Sequence, residues 1–233
     1  MERRAVIFDM DGVLIDSYHA HMLAWMKLGE KLGSPITEAQ FVPTFGRRNP
    51  EIFHTLWPGL IPDDQADYWS RWKEQAYRDI VTARFPEMDG ARELLDALKA
   101  AGFALAIGSS GPPENVEVAL KGLGRAHLFD AIVNSHEVTR GKPDPEVFLK
   151  AAAKLRIEPN CCAVVEDSKA GLEAAERAGM TPIAVTGTFG RQELAGHAAL
   201  VVENLRGLSP ETIARLIDAK AQGGALHPRA KSK

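Results

Sequence analysis

Six short apolar runs, each lacking polar alternation, limit what this chain can fold into. They are Ala5-Phe8, Phe103-Gly108, Ala131-Asn134, Cys162-Glu166, Pro182-Val185 and, more weakly, Leu200-Glu203. A strand with one wet face alternates apolar and polar residues, so these runs are predicted to be buried on both faces, as in a parallel sheet covered by helices. The segments between them carry helical spacing: Gly90-Ala101, Pro113-Leu123, Pro145-Leu155 and Ser168-Ala178. Gly102, Gly124 and Gly179 stand where these helices should stop, and Pro113 suits a first helical turn. This alternation predicts the α/β class with a doubly wound parallel sheet, a fold that binds ligands beyond the carboxyl ends of its strands.

One stretch breaks the alternation. Residues 17–86 carry helical pattern and no convincing strand. His21, Met22, Trp25, Met26, Leu28 and Leu32 form an apolar stripe ending at Gly33. Thr37 with Gln40 resembles a capping box, and Asp63 or Asp64 is placed to open a long helix through Tyr68, Trp72 and Val81. We therefore expect 17–86 to be an inserted α-helical cap domain, with 1–16 and 87–218 forming the catalytic core. Both ends of the insertion must meet one domain edge, which puts the expected hinge near Ile15-Ser17 and Phe85-Asp89. Residues 219–233, rich in Lys, Gly and Ala, have little to bury and are expected to be a disordered tail.

Composition narrows the partners. At 233 residues the chain can bury one good-sized core, or a core and a smaller domain. A formal net charge of −3 gives no reason to expect nucleic acid or a membrane surface. No apolar run approaches the ~18–20 residues that cross a bilayer. Met1-Glu2-Arg3-Arg4 runs into an apolar strand too short for a signal peptide. The only cysteines, Cys161 and Cys162, are adjacent, which excludes a disulfide framework and points to a reducing, cytoplasmic compartment. Both read as buried small hydrophobes. The expected partner is a small molecule, and the expected assembly a monomer or homodimer.

Two predicted strands end in acids. Asp9 and Asp11, in Phe8-Asp9-Met10-Asp11-Gly12, sit two residues apart at the mouth of a buried strand. Their charges repel unless something positive lies between them, and magnesium, with its preference for oxygen ligands, is the simplest answer. Asp and Gly are also common turn residues, so this motif alone leaves a plain turn open. Glu166-Asp167 follows Ala163-Val164-Val165 in the same way and brings a second acidic pair to the same sheet edge. Capping of the next helix by Asp167 or Ser168 is compatible with this, but does not account for the second pair.

Two further strand ends offer what an oxyanion needs. Ser109-Ser110-Gly111 supplies hydroxyls and backbone N–H groups ahead of a Pro-started helix. Lys142, in Arg140-Gly141-Lys142-Pro143-Asp144-Pro145, is biased away from helix by Pro143. It can neutralise charge on a phosphoryl group and on the carboxylate cluster. Taken singly, Ser109 reads as a turn residue and Lys142 as a solvated loop charge. Together the four strand ends present acid, hydroxyl, base and acid.

That ordered set, Asp9-Met10-Asp11-Gly12-Val13, Ser109, Lys142 before Pro143, and Glu166-Asp167-Ser168, resembles the four motifs of the haloacid-dehalogenase-like superfamily. The resemblance extends to about Leu216 and is strongest to the β-phosphoglucomutase and phosphoglycolate-phosphatase-like branch. It implies a phosphohydrolase acting on a small phosphorylated metabolite, with a phosphosugar mutase as the alternative. Asp9 would be the nucleophile that becomes an aspartyl phosphate, and Asp11 the general acid and base. Ser109 and Lys142 would clamp the phosphoryl oxygens. Magnesium would be held by Asp9, the Asp11 carbonyl and Asp167, with Glu166 nearby or acting through water. Haloacid dehalogenases lack the second aspartate, and phosphonoacetaldehyde hydrolases usually have alanine there, so Asp11 counts against both. In the helical insertion His21, Trp25, Lys73 and Tyr77 match positions filled alike in the mutases. Where those enzymes place an arginine, this chain has Asn49, with Arg47 and Arg48 just before it. His21, Arg47, Arg48 and Lys73 are therefore candidate substrate contacts, beside Ser110 and Gly111. His21 reads equally well as a core histidine, and the arginines as a solvated helix end.

Overall fold

The computed structural model describes residues 3–44, 47–187 and 189–222. In chain order its elements are β1 (Ala5–Phe8), α1 (Tyr18–Lys31), α2 (Glu38–Phe41), α3 (Asn49–Leu56), α4 (Ala66–Ala83), α5 (Ala91–Ala100), β2 (Ala104–Gly108), α6 (Pro113–Leu123), β3 (Ala131–Val133), α7 (Glu146–Leu155), β4 (Cys162–Glu166), α8 (Lys169–Arg177), β5 (Thr181–Val185), α9 (Arg191–Leu194), β6 (Leu200–Val202) and α10 (Pro210–Ala221). The strands form one sheet in the order β3-β2-β1-β4-β5-β6, every pair parallel. The doubly wound sheet expected from the apolar runs is present, with strand ends shifted by a residue at most.

Burial on both faces explains the missing alternation. Every residue of β1, β2, β4 and β5 is buried. Ile7, Ala106 and Val164 meet Phe148 and Ala151 of α7 and Ala174 and Ala175 of α8 in one cluster. Their sequence neighbours point the other way, as strand geometry requires, and α5 and α10 pack over that side. Full burial of each Val, Leu, Ile or Phe contributes roughly 1.5–3 kcal/mol, so this layer dominates the stability of the unit. Gly124 closes α6 at φ +64°, where a side chain would be strained.

Among the described residues the chain divides into two compact units, one of them Ser17–Pro86 and the other made of what precedes and follows it. In the second unit, Ile15 bridges antiparallel to Glu87, and Met88 N–H donates to the Leu14 carbonyl at 3.1 Å. The outgoing and returning segments are thus pinned side by side. The unit Ser17–Pro86 is all helical. Trp25, Leu28, Phe41, Phe53 and Trp57 fill its core. Gln40 Oε1 accepts from Thr37 N–H at 2.9 Å, the expected cap of α2. Asp63 opens a 3₁₀ turn, Asp63–Gln65, that runs into α4.

At the far end the expected tail begins too early. Ala219, Lys220 and Ala221 belong to α10, and the Lys220 ammonium donates to the Met180 carbonyl. The stem of Lys220 covers apolar surface while its head finds a carbonyl, an option that composition alone does not reveal. Residues 223–233 lie outside the described residues. Cys161 and Cys162 are both buried, and neither forms a disulfide among the described residues. Among the described residues no helix is long and apolar enough to cross a membrane.

Candidate active site

The sheet order creates the site. From β1 the chain winds outward through β2 and β3, then returns to the other side for β4, β5 and β6. The direction reverses between β1 and β4, the switch point at which doubly wound sheets leave a crevice. Phe8 is level with Ile107 of β2 and Val165 of β4, so the next residues, Asp9 and Glu166, emerge side by side. Asp9 N–H donates to the Val165 carbonyl at 2.9 Å, carrying the ladder up to the nucleophile candidate itself.

Lys142 ties this edge together. Its ammonium donates to Asp9 Oδ1 at 2.5 Å and to Glu166 Oε1 at 2.6 Å, and it lies 4.9 Å from the centre of the Phe148 ring. Burial alone would lower the ammonium's pKa, but the charges of Asp9 and Glu166 outweigh it and hold Lys142 well above the usual lysine range. The Asp9 carboxyl is pushed up to about 7. Burial is the largest cause, Lys142 opposes it, and Glu166 and Asp11 add to it. Asp167 is raised well above the ordinary carboxylate value by burial, then by Glu166 and Asp9. Lys142 bonds two of the four acids gathered here, and an excess of negative charge of this kind is what a divalent cation would relieve.

Whether magnesium fits is decided by the donor set. Among the described residues no three His, Cys, Asp or Glu side chains form a group that could hold a metal ion. Magnesium needs fewer, since it keeps several waters and takes one or two carboxylates. Asp9 and Asp167, with the Asp11 carbonyl, would suffice. A Cβ on Gly12 would fall 2.2 Å from Asp167 Oδ2, so only glycine lets Asp167 lie against the Asp9-Asp11 loop.

Glu166 has both carboxylate oxygens engaged by protein donors. Its Oε1 accepts from Lys142, while its Oε2 accepts from Asp167 N–H at 2.9 Å, Ser168 N–H at 2.8 Å and the Ser168 hydroxyl at 2.8 Å. These bonds anchor Lys142 and the start of α8. Ser168 takes the capping role allowed for it, accepting from Gly171 N–H at 3.0 Å.

Ser109 is buried at the end of β2, its N–H donating to the Val133 carbonyl and its hydroxyl accepting from Gly111 N–H at 3.0 Å. A Cβ at Gly111 would lie 3.2 Å from Ser109 Oγ and 3.8 Å from Asp11 Oδ2, which places Ser109, Gly111 and Asp11 in one neighbourhood. Ser110 is exposed between them and α6.

In the helical unit His21 and Lys73 meet, as a pair. Lys73 is 2% exposed, its ammonium 2.9 Å from both His21 Nδ1 and Glu74 Oε1, near the rings of Trp25 and Tyr77. His21 stacks on Tyr77 with ring centres 4.0 Å apart. A lysine donates only, so His21 Nδ1 accepts and the ring proton sits on Nε2. Asn49 Nδ2 donates to the same Glu74 oxygen at 2.9 Å. Arg47 and Arg48 are exposed, and Arg48 is the N-cap of α3, whose first residue is Asn49, in keeping with the reading of these arginines as a solvated helix end.

Sequence reasoning missed Gly171, Phe148 and Glu146. The first is close-packed on Glu166, and the second forms one wall of the Lys142 site. The third accepts from the loop carrying Lys142. Each reads as an ordinary helix residue; Lys142 lying in the loop just before α7 was the available signal for the last two.

Comparison with known proteins agrees with this geometry. The family described as haloacid dehalogenase-like hydrolase matches residues 3–179. Validoxylamine A 7'-phosphate phosphatase of Streptomyces hygroscopicus subsp. limoneus is 33% identical over 199 residues, covering 82% of this chain and 90% of that protein. A phosphorylated carbohydrates phosphatase of Thermotoga maritima is 33% identical over 179 residues, covering 77% and 83%. The crystal structure of β-phosphoglucomutase from Clostridium difficile superposes with a TM-score of 0.81 at 26% identity, covering 94% of this chain and 99% of that one. The acidic strand ends at the switch point, the lysine between them and these likenesses agree: the chain belongs to the haloacid dehalogenase-like hydrolases.

Proposed function

We propose that this phosphoric monoester hydrolase removes phosphate from a small phosphorylated sugar or sugar-like metabolite, using Asp9 as nucleophile. The observation that carries the reading is the buried Asp9 at the β1–β4 switch point, bonded to Lys142 and ringed by Asp11, Glu166 and Asp167. The Asp9 carboxylate attacks phosphorus in line, forming an aspartyl phosphate while the leaving alcohol takes a proton from Asp11. Asp11 then accepts a proton from the water that hydrolyses the acyl phosphate. Ser109, Lys142 and the Ser110-Gly111 backbone hold the phosphoryl oxygens, and such transfers depend chiefly on positioning and charge. Magnesium, held by Asp9, Asp167 and the Asp11 carbonyl, supplies charge neutralisation when bound. The unit Ser17–Pro86 is assigned as the cap that selects substrate, through His21 and Lys73.

The ion requirement has a readout apart from turnover. An unfolded aspartate ionises near 3.8, whereas Asp9 in the ion-free fold holds its proton to about 7. Between those values the folded protein binds more protons than the unfolded chain. Asp9 therefore makes ion-free stability fall as pH rises, by up to about 1.4 kcal/mol per pH unit. Bound magnesium requires the ionised carboxylate, so its stabilising effect should grow with pH across the same window. Thermal unfolding with and without magnesium, at about pH 5.5 and about pH 8, should show the larger Tm increment at the higher pH. Chelation should stop turnover and magnesium restore it. An increment independent of pH would remove Asp9 from the ligand set.

The mutase reading has its own support in the likeness to β-phosphoglucomutase. Its chemistry needs a cation free to grip a second phosphate, and bidentate arginine serves best. Here Lys73 is paired with Glu74, and Asn49 adds an uncharged amide at the same carboxylate. With β-glucose 1-phosphate, magnesium and a trace of glucose 1,6-bisphosphate, we expect free phosphate. Rapid glucose 6-phosphate with little free phosphate would establish the mutase instead.

A further inference from the structure

The segment carrying Lys142 is held from outside the active site, and its main attachment is a residue no motif singled out. Glu146, in the first turn of α7, turns its Oε2 back toward the preceding loop. That oxygen accepts from Thr139 N–H at 3.1 Å, the Thr139 hydroxyl at 2.9 Å and Arg140 N–H at 2.9 Å. Its Oε1 pairs with Lys150 at 2.6 Å. The bond runs both ways along the chain, for Glu146 N–H donates to Asp144 Oδ1 at 3.0 Å, and Asp144 N–H donates to the Gly141 carbonyl at 3.0 Å. Arg177 Nη1 of α8 reaches the Pro143 carbonyl at 3.3 Å. Residues on both sides of Lys142 are thereby fixed to helix ends.

An acidic residue in a first helical turn ordinarily serves its own helix, by the dipole or an i, i+4 pair. The Lys150 pair meets that description. The three bonds at Oε2 do not: they go to residues two and three positions before Lys142. Lys142 needs such support. A lysine has four rotatable side-chain bonds, and its ammonium must stay within hydrogen-bond reach of the phosphoryl oxygens. Small displacements of a positioned group are costly to rate.

We infer that Glu146 is a positioning residue for Lys142, fixing the Thr139-Arg140 backbone from which the Lys142 side chain is aimed. This rests on the reading of Lys142 as the phosphoryl clamp, and the test separates the two. Glu146→Ala removes the loop bonds, whereas Glu146→Gln keeps one oxygen to accept them and serves as the conservative rescue. Lys150→Ala removes the pair at Oε1, together with the Lys150 bond to the Glu137 carbonyl, and leaves the three bonds at Oε2 intact. Each is made alone, and Glu146→Ala is also combined with Lys142→Ala. The readouts are kcat with an aryl phosphate and affinity for inorganic phosphate in the presence of magnesium.

We expect Glu146→Ala to lower kcat roughly 30-fold and weaken phosphate binding, with Glu146→Gln recovering most of the loss and Lys150→Ala near wild type. In the Lys142→Ala background, Glu146→Ala should change phosphate affinity less than about twofold. An undiminished effect in that background, or the full loss reproduced by Lys150→Ala, would overturn the inference and leave the clamp reading standing. Should Glu146→Ala not fold, Glu146→Asp, whose carboxylate is one methylene too short for the loop, takes its place: a loss of phosphate affinity seen alone but not in the Lys142→Ala background supports the coupling, and equal losses in both, or no loss alone, refute it. A fully active Lys142→Ala would remove the clamp and the inference together.

Discussion

Asp9→Asn is expected to lower kcat by about 10⁴-fold or more while leaving the protein folded. The amide is nearly isosteric with the carboxylate, so Ser109, Lys142 and Asp167 keep their places. It cannot attack phosphorus to give the acyl phosphate, and the loss should fall on kcat rather than on phosphate affinity. Stability gives an independent check. The ionised Asp9 is buried near Glu166 and Asp11, with Lys142 bonded to it. Exchanging it for a neutral group relieves repulsion, and Lys142 retains Glu166 as counter-charge. Without magnesium the variant's Tm at neutral pH should equal or exceed that of wild type. The difference should shrink as pH falls from about 7 and vanish only below the unfolded value of 3.8, where Asp9 is protonated in the folded and the unfolded wild type alike. Residual kcat of even a tenth of wild type would exclude covalent catalysis by Asp9. A marked loss of Tm at neutral pH would show instead that the Asp9–Lys142 pair holds the fold together.

The fold was legible because burial writes itself into the sequence. Ala5-Val6-Ile7-Phe8 and Cys162-Ala163-Val164-Val165 have no polar alternation, and both faces of those strands are covered. The four strand-end motifs were legible for a related reason: an acid directly after a buried run has to be explained by something at the strand's end. What stayed hidden was side-chain direction. Glu166 and Asp167 look alike in sequence, yet Glu166 turns toward Lys142 and the start of α8 while Asp167 lies against Gly12. Lys73 read as a cap cation, but its charge is matched by Glu74, the next residue along α4. Lys220 read as tail, because composition does not show that the Met180 carbonyl is within its reach.

Gly171→Ala should be among the most damaging single changes in this protein, against what helix propensity suggests. Gly171 lies inside α8, where alanine normally gains about 1 kcal/mol over glycine. The position allows no such gain. An added Cβ would fall 1.8 Å from Glu166 Oε1 and 1.9 Å from its carboxyl carbon. Glu166 is 1% exposed and cannot swing into solvent. It would have to leave Lys142 and the N–H groups of Asp167 and Ser168, or else push α8 away from β4. The first leaves buried polar groups without partners, and the second opens the core around Leu172, Ala174 and Ala175. Either route costs about 3–5 kcal/mol, several times the propensity gain. Because Glu166 also anchors Lys142, activity should fall along with stability. Denaturant unfolding of Gly171→Ala, beside the control Gly196→Ala, where no atom lies within 4 Å of the added carbon, measures the difference. The double change Glu166→Ala with Gly171→Ala decides the cause. If the clash is with Glu166, the alanine at 171 should add little destabilisation once that side chain is gone. A full penalty in both backgrounds would mean that α8 rejects the methyl for a reason unrelated to Glu166.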